Sequence, residues 1–175
     1  ERAQRLGGVL AVTVLLLGAV LLGYGIERLS GLHPLGWIAI AVLGSLGLAA
    51  RSLHDHVAPV LRALRLDDLP AARAAVGRIV GRDTRGLDRE GVAVAALESL
   101  AESSNDGVVA PLFWFLVGGL PGLITYKAVN TADSLIGHKE DPYRHFGWAA
   151  ARLDDLMNLV PARIAGVLIA LVGRR

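Results

Sequence analysis

Residues 6–26 read Leu6-Gly-Gly-Val-Leu-Ala-Val-Thr-Val-Leu-Leu-Leu-Gly-Ala-Val-Leu-Leu-Gly-Tyr-Gly-Ile26, without a single charged side chain. At about 1.5 Å per helical residue, a run of this length can cross the ~30 Å hydrocarbon core of a bilayer. A signal peptide is the competing interpretation. It is disfavoured by the length of the run, by the absence of a small-x-small cleavage pattern and by the second apolar run that follows at once. We therefore expect a membrane helix here.

The second apolar run extends from Gly31 to Ala50 and follows a short link that contains Glu27, Arg28 and Pro34. Residues 1–50 thus predict a transmembrane hairpin. In such a hairpin Arg2 and Arg5 lie on the same side of the membrane as the arginines of residues 51–106, and the positive-inside tendency makes that side cytoplasmic. The predicted fold class is an all-α, polytopic helical membrane protein.

Residues 51–106 predict a cytoplasmic helical section, because their apolar residues recur with helical spacing. Asp67, Asp68 and Pro70 are typical of a helix start. A further helix is expected from about Asp88 to Ser103. The loop before it contains Gly81-Arg-Asp-Thr84.

Residues 107–125 predict a broken, re-entrant membrane segment, because the apolar stretch is interrupted by Pro111, Gly118, Gly119, Pro121 and Gly122. A segment that enters and returns would keep all the polar motifs on one side of the membrane. Residues 126–160 are expected to form polar helices of an active site. Residues 161–175 predict the start of a further, truncated membrane helix.

Composition excludes several kinds of function. The chain has no cysteine, which excludes disulfides, thiolate zinc sites and a cysteine nucleophile. Its net charge of +2 comes from interleaved acidic and basic residues, which gives no reason to expect nucleic acid as a partner. Neither a GxxxxGK[ST] loop nor a GxGxxG turn is present, so a nucleotide site would be of an unfamiliar kind.

Two polar clusters lie in residues 51–106. Arg82, Asp83 and Thr84 offer a cation, a carboxylate and a hydroxyl, although a simple turn with Asp83 as a helix cap is the better explanation when they are taken alone. Glu98 and Glu102 are four residues apart on one predicted helix face and repel each other unless water, a cation or a metal lies between them. Residues 105–107 could simply end that helix.

Two more clusters follow the broken segment. On a helix, Lys127, Asn130, Thr131 and Ser134 form a stripe with Asp133 at its edge, which suggests the wall of a cavity. A helix stopped by Pro161 would place Arg152, Asp155 and Asn158 on one face, with Asp154 four residues before Asn158. A solvated helix with an Arg–Asp pair is the alternative. Carboxylates suit Mg²⁺, and arginine and lysine suit phosphate or carboxylate groups.

In order and wording these clusters resemble the adenosylcobinamide-phosphate synthase family of cobalamin biosynthesis, known as CobD or CbiB. The resemblance extends over most of the chain from Arg51 to Arg163. It rests on GRDT at 81–84, ALESLAESSNDGVVAPLFW at 96–114, YKAVNTADSLIGHK at 126–139, FGWAAARLDD at 146–155 and NLVPAR at 158–163.

The resemblance implies a multi-pass protein of the bacterial inner membrane with a cytoplasmic active site. Family members are thought to use ATP and Mg²⁺ to form an amide between adenosylcobyric acid and aminopropanol or its O-phosphate. The implied partners are therefore the corrinoid, the amine or its phosphate, the lipid bilayer and other late enzymes of the cobalamin pathway. The family's opening and C-terminal segments have no counterpart in this chain, which we therefore expect to be inactive on its own.

The resemblance and the chemistry together predict the site residues, without deciding which of them binds metal, ATP or corrinoid. The predicted catalytic residues are Glu98, Glu102, Asp133 and Asp155. The predicted substrate- or phosphate-binding residues are Arg82, Thr84, Lys127, Asn130, Lys139, Arg152, Asn158 and Arg163. The predicted metal ligands are Asp83, Glu102, Asp133, Asp154 and Asp155.

Two other functions remain open at this point. Magnesium-dependent intramembrane prenyl transferases also carry Asp and Asn on helices, and Asn130 with Asp133 resembles them loosely, but the NDxxD-type spacing is missing. A non-catalytic membrane regulatory protein is the third possibility, against which the density of polar residues argues.

Overall fold

The computed structural model describes residues 1–48, 50–138, 140 and 143–173, and the side chains of residues 50–52 are also outside the description. The described residues form helices and no strands, as the sequence predicts. The helices are α1 (Arg2–Ser30), α2 (Gly36–Leu46), α3 (Ala50–Arg65), α4 (Leu69–Val76), α5 (Arg89–Ser104), α6 (Ala110–Ile136), α7 (Trp148–Met157) and α8 (Pro161–Gly173), with a π-helical turn at Asn105–Val109. The chain divides into two compact units, unit 1 (Glu1–Leu48 and Val109–Ile164) and unit 2 (Ala49–Val108 and Ala165–Arg175).

In unit 2, α3, α4 and α5 surround a core of small apolar side chains. The core contains Val60, Ala72, Val76, Val92 and Ala95, which confirms the predicted helical spacing. The side chain of Asp68 accepts a hydrogen bond from the N–H of Ala71 at 3.0 Å and caps α4, as predicted. The expected helix at about residues 88–103 is confirmed as α5, which Asp88 caps by accepting from the N–H of Gly91 at 2.8 Å.

Residues 105–107 do not end the helix. Of the two alternatives left open there, the helix end is excluded, because the chain continues through the π-helical turn at Asn105–Val109 into α6.

Unit 1 is built around the contact between α1 and α6. A Cβ atom at Gly23 would overlap the backbone of Pro121, and one at Gly8 would overlap the carbonyl oxygen of Phe146. Only glycine allows such close approach. Pro121 lies in the first turn of the second half of α6 and Phe146 follows its end, so this half of α6 runs antiparallel to α1.

The predicted break in the apolar segment is present inside α6. Gly118 (φ −128°, ψ 16°) and Gly119 (φ 61°, ψ −153°) are not helical. The chain bends so sharply there that a Cβ atom at Gly122 would overlap the carbonyl oxygen of Trp114, eight residues earlier. Whether this segment enters and leaves on the same side of a membrane stays a prediction.

Among the described residues, two or three helical segments are long and apolar enough to cross a membrane, which fits a membrane protein. They are Arg2–Ser30, part of the helical run Arg89–Ile136, and, if counted as one bent span, α7 with α8. The second arm of the predicted hairpin is shorter than expected. Its helix α2 has only 11 residues, about 16 Å, which is too short to cross a bilayer alone.

Candidate functional site

A polar network joins α6 to α7 in unit 1. The hydroxyl of Tyr126 donates to Oδ1 of Asn158 at 3.1 Å, and Nδ2 of Asn158 donates to Oδ2 of Asp154 at 2.9 Å. Nδ2 of Asn130 donates to Oδ1 of Asp154 at 3.3 Å. Both oxygens of the Asp154 carboxylate thus accept an amide N–H. We call Tyr126, Asn130, Asp154 and Asn158 the α6–α7 network.

The network forms because each helix contributes two polar residues at a spacing of four. Apolar side chains surround it: Tyr126 is fully buried in a cluster with Val129 and Met157, against which Leu16 of α1 packs. Leu16 is the central residue of the apolar run 6–26, so the network lies beside the middle of a candidate membrane helix. Polar groups at such a depth are costly unless they are paired, and they commonly mark functional sites.

Arg152 and Asp155 lie apart from this network. They form the predicted i,i+3 pair, with Nη1 of Arg152 3.6 Å from Oδ2 of Asp155, and their side chains are 68% and 73% exposed. Asn158, which the three-residue spacing predicts on the same face, binds Asp154 and Tyr126. Because both side chains are largely exposed, the pair contributes little to the free energy of unfolding. The same exposure leaves both groups accessible to a reactant.

The polar stripe of α6 is divided between two surroundings. Asn130 belongs to the network, whereas Lys127 and Thr131 line a cavity of about 530 Å³ in unit 1. The rest of the lining is mostly apolar and includes Leu15, Leu43 and Leu123. The stripe therefore does form part of a cavity wall, but of an apolar one. The hydroxyl of Ser134 donates to the carbonyl oxygen of Asn130 at 2.9 Å, and Asp133 is half-buried beside Gly137.

A second candidate site lies in unit 2, between the GRDT loop and α5. Nη2 of Arg82 is 3.0 Å from Oε2 of Glu98. Arg82, Glu98 and Glu102 all line one pocket of about 260 Å³, together with Gly81 and Ser99. The predicted face shared by Glu98 and Glu102 is confirmed. One cation and two exposed carboxylates therefore border the same pocket.

The other two polar residues of the GRDT loop are bound within unit 2. Nε and Nη2 of Arg85 donate to the carboxylate of Asp83 at 3.0 and 2.9 Å. The side chain of Arg85, followed by its backbone N–H, lowers the pKa of the Asp83 carboxyl below its ordinary value. Asp83 is not a helix cap, since Asp88 occupies that position. The hydroxyl of Thr84, a buried residue, donates to the carbonyl oxygen of Arg73 at 3.0 Å.

The described residues contain no group of three His, Asp or Glu side chains arranged to hold a metal ion. Mg²⁺ does not require such a group, because one or two carboxylates and substrate phosphates usually bind it. Glu98 and Glu102 fit that requirement, since both border one pocket. Asp83 and Asp155 are each paired with an arginine, which competes with a metal for the carboxylate.

The predicted binding residue Lys139 is outside the described residues. The guanidinium of Arg163 donates to the carbonyl oxygen of Leu159, one turn earlier in the chain.

Two residues that sequence reasoning missed contribute to these arrangements. Tyr126 is not among the predicted site residues, although its spacing of four from Asn130 is visible in the sequence. Glu27 was treated as part of a link, but its Oε1 accepts a hydrogen bond from the N–H of Leu120 at 2.8 Å, at the break in α6. The visible signal was an acidic residue directly after an apolar run.

The fold and these sites define an all-helical protein with membrane-type helices and polar side chains between them. The family model described as "CobD/Cbib protein" matches residues 1–175, so the chain belongs to the CobD/CbiB family of cobalamin biosynthesis. No solved structure matches the chain.

Similar proteins carry the name "Cobalamin biosynthesis protein CobD". That of Rhodobacter capsulatus is 52% identical over 173 residues, which cover 97% of this chain and 54% of the relative. That of Sinorhizobium sp is 52% identical over 171 residues (97% and 53%), and that of Stutzerimonas stutzeri is 48% identical over 173 residues (99% and 56%). The chain thus spans about half the length of the curated relatives it matches.

Proposed function

We propose that the protein to which this chain belongs is an ATP-dependent, amide-forming ligase. It joins a carboxylate of adenosylcobyric acid to aminopropanol or its O-phosphate, at a site that faces the cytoplasm. The observation that carries the proposal is the family match over the whole chain. This match also favours the ligase over a prenyl transferase or a regulatory protein.

The pocket bordered by Arg82, Glu98 and Glu102 supports the proposal. A carboxylate is a poor acyl donor until it is phosphorylated, so the ligase must position nucleotide phosphates and neutralise their charge. In our proposal Arg82 binds phosphate oxygens, and Glu98 and Glu102 hold Mg²⁺ beside them. The metal, when bound, supplies positive charge at the phosphates. Because Arg82 already contacts Glu98 at 3.0 Å, it must change partner when a phosphate binds.

Polar groups on α6 and α7 support the second half of the chemistry. We propose that Arg152 and Asp155, which are exposed on α7, bind and deprotonate a reactant. The α6–α7 network holds α7 against α6 and so fixes the position from which they act. Positioning of this kind supplies much of the rate in a reaction between two bound substrates.

The test uses the complete protein in membranes of a host that lacks its own synthase. Adenosylcobyric acid, ATP and Mg²⁺ are supplied with aminopropanol or its O-phosphate, and the amide product and ADP are measured by mass spectrometry. We expect product with one of the two amines. We also expect Glu98→Gln and Glu102→Gln to lower the rate at least about 100-fold, whereas Glu90→Gln, an exposed control on the same helix, does not. Inserted protein that forms no amide would contradict the proposal.

A further inference from the structure

The backbone at the break in α6 adopts a conformation that is costly for every residue except glycine. Gly119 has φ 61° and ψ −153°, a combination that is essentially restricted to glycine. Glycine adopts this conformation without strain, so the conformation by itself does not fix the path of the chain. Proline at position 121 and two consecutive glycines permit the bend, but they do not determine its direction.

Glu27 of α1 contacts the break directly. Its Oε1 accepts from the N–H of Leu120 at 2.8 Å, and a Cβ atom at Gly119 would overlap this oxygen. Leu120 is the first helical residue after the break, so its N–H has no acceptor within its own helix. A carboxylate at the N-terminus of a helix is also stabilised by the helix dipole. Glu27 therefore caps the second half of α6 from another helix.

A second contact, one helical turn earlier in α1, supports the same arrangement. Gly23 lies against the backbone of Pro121 so closely that no larger residue fits. The half-buried carboxylate of Glu27 has no cationic partner among the described side chains. A carboxylate next to an apolar helix costs free energy of desolvation unless it is hydrogen-bonded. The hydrogen bond from Leu120 therefore accounts for an acidic residue at position 27.

We propose that Glu27 is a positioning residue of the candidate site. The half-helix that it caps carries Tyr126 and Asn130, which bind Asn158 and Asp154 of α7. By fixing where and in which direction this half-helix starts, Glu27 sets the register of the α6–α7 network. A displacement of about 1 Å there is enough to lower a catalytic rate as much as ~100-fold. The proposal rests on the proposed function for its kinetic readout alone.

The experiment compares Glu27→Ala, Glu27→Gln and Arg28→Ala in the complete protein. Arg28→Ala is the control, since Arg28 is the exposed next residue. Hydrogen exchange of peptides that cover residues 118–124 is followed by mass spectrometry, and kcat and KM are measured for the amide-forming reaction. For Glu27→Ala we expect exchange at Leu120 and kcat each to change by about ten-fold or more, with KM within about three-fold. Glu27→Gln keeps an acceptor oxygen and should recover most of both.

Three results would overturn the proposal. The first is unchanged exchange at Leu120 in Glu27→Ala, and the second is an unchanged kcat despite faster exchange. In the third, Glu27→Gln protects Leu120 fully but is as inactive as Glu27→Ala, which would mean that the charge acts on a reactant directly. The exchange measurement needs no turnover, so it remains informative even if the proposed reaction is not observed.

Discussion

Asp154 and Asp155 are neighbours with the same carboxyl group, and α7 turns them into different surroundings. Asp154 accepts one amide N–H on each oxygen, from Asn130 and Asn158. Asp155 is mostly exposed, 3.6 Å from Arg152. Asp154 therefore contributes to the packing of α6 on α7, whereas Asp155 is accessible to ligands.

This difference predicts opposite behaviour for two isosteric substitutions. Asp154→Asn would place an amide N–H₂ against the amide donors and should lower the free energy of unfolding by about 1–3 kcal/mol. Asp155→Asn should change it by less than about 0.5 kcal/mol, yet abolish amide formation if Asp155 serves a reactant. Thermal unfolding in detergent and the ligase assay separate the two effects. Full activity of Asp155→Asn would remove it from the site.

At the scale of the helical elements, the two glycines at the break of α6 differ in what they require. Gly119→Ala would place a Cβ atom on Glu27 at a glycine-only φ of 61°, whereas a Cβ atom at Gly118 meets nothing within 4 Å. We expect Gly119→Ala to destabilise the protein by about 1–3 kcal/mol or more and Gly118→Ala by less than 1 kcal/mol. Unfolding monitored by circular dichroism tests this, and equal effects would show that the break has another origin.

The contact between α1 and α6 gives a second matched pair. A Cβ atom at Gly23 would overlap Pro121, whereas one at Gly25 meets nothing within 4 Å. Gly23→Ala should therefore separate the helices and cost about 1–3 kcal/mol. Gly25→Ala should be neutral or slightly stabilising, because alanine favours a helix. Retention of native stability by Gly23→Ala would indicate that α1 can shift along α6 without loss.

The sequence predicted the elements better than the contacts between them. The cap at Asp68, the helix that starts near Asp88 and the break at Gly118 follow from local chemistry, so pattern and structure agree there. The length of α2 was overestimated, because an apolar run shows where a helix can lie and not where the chain turns. The partition of Asn130 and Lys127 to different surroundings depends on which neighbours each side chain meets. One helical stripe does not contain that information.

At the scale of the whole molecule, the candidate groups are distributed over both units. The pocket of Arg82, Glu98 and Glu102 is in unit 2, and the α6–α7 network and Asp155 are in unit 1. A ligase must bring phosphate, metal and acyl acceptor within a few ångströms of one another. Our proposed function therefore requires that the groups that bind phosphate and the groups that bind the acyl acceptor act on the same side of the membrane.

That requirement gives a prediction about membrane topology. In unit 1 the second half of α6 runs antiparallel to α1, so residue 138 returns to the level at which α1 begins. If residues 107–125 are re-entrant, the loop at residues 81–86 lies on that same side, which Arg2 and Arg5 make cytoplasmic.

The 175 residues contain no cysteine, so single cysteines at Gly86, His138 and Leu32 can be labelled with an impermeant maleimide after any others in the longer protein are replaced. Gly86 and His138 should react from the cytoplasmic face of sealed vesicles, and Leu32, at the far end of α1, only from the opposite face. Labelling of Gly86 and His138 from opposite faces would show that the segment spans, which would contradict the re-entrant prediction and the single-sided site that the proposed function requires.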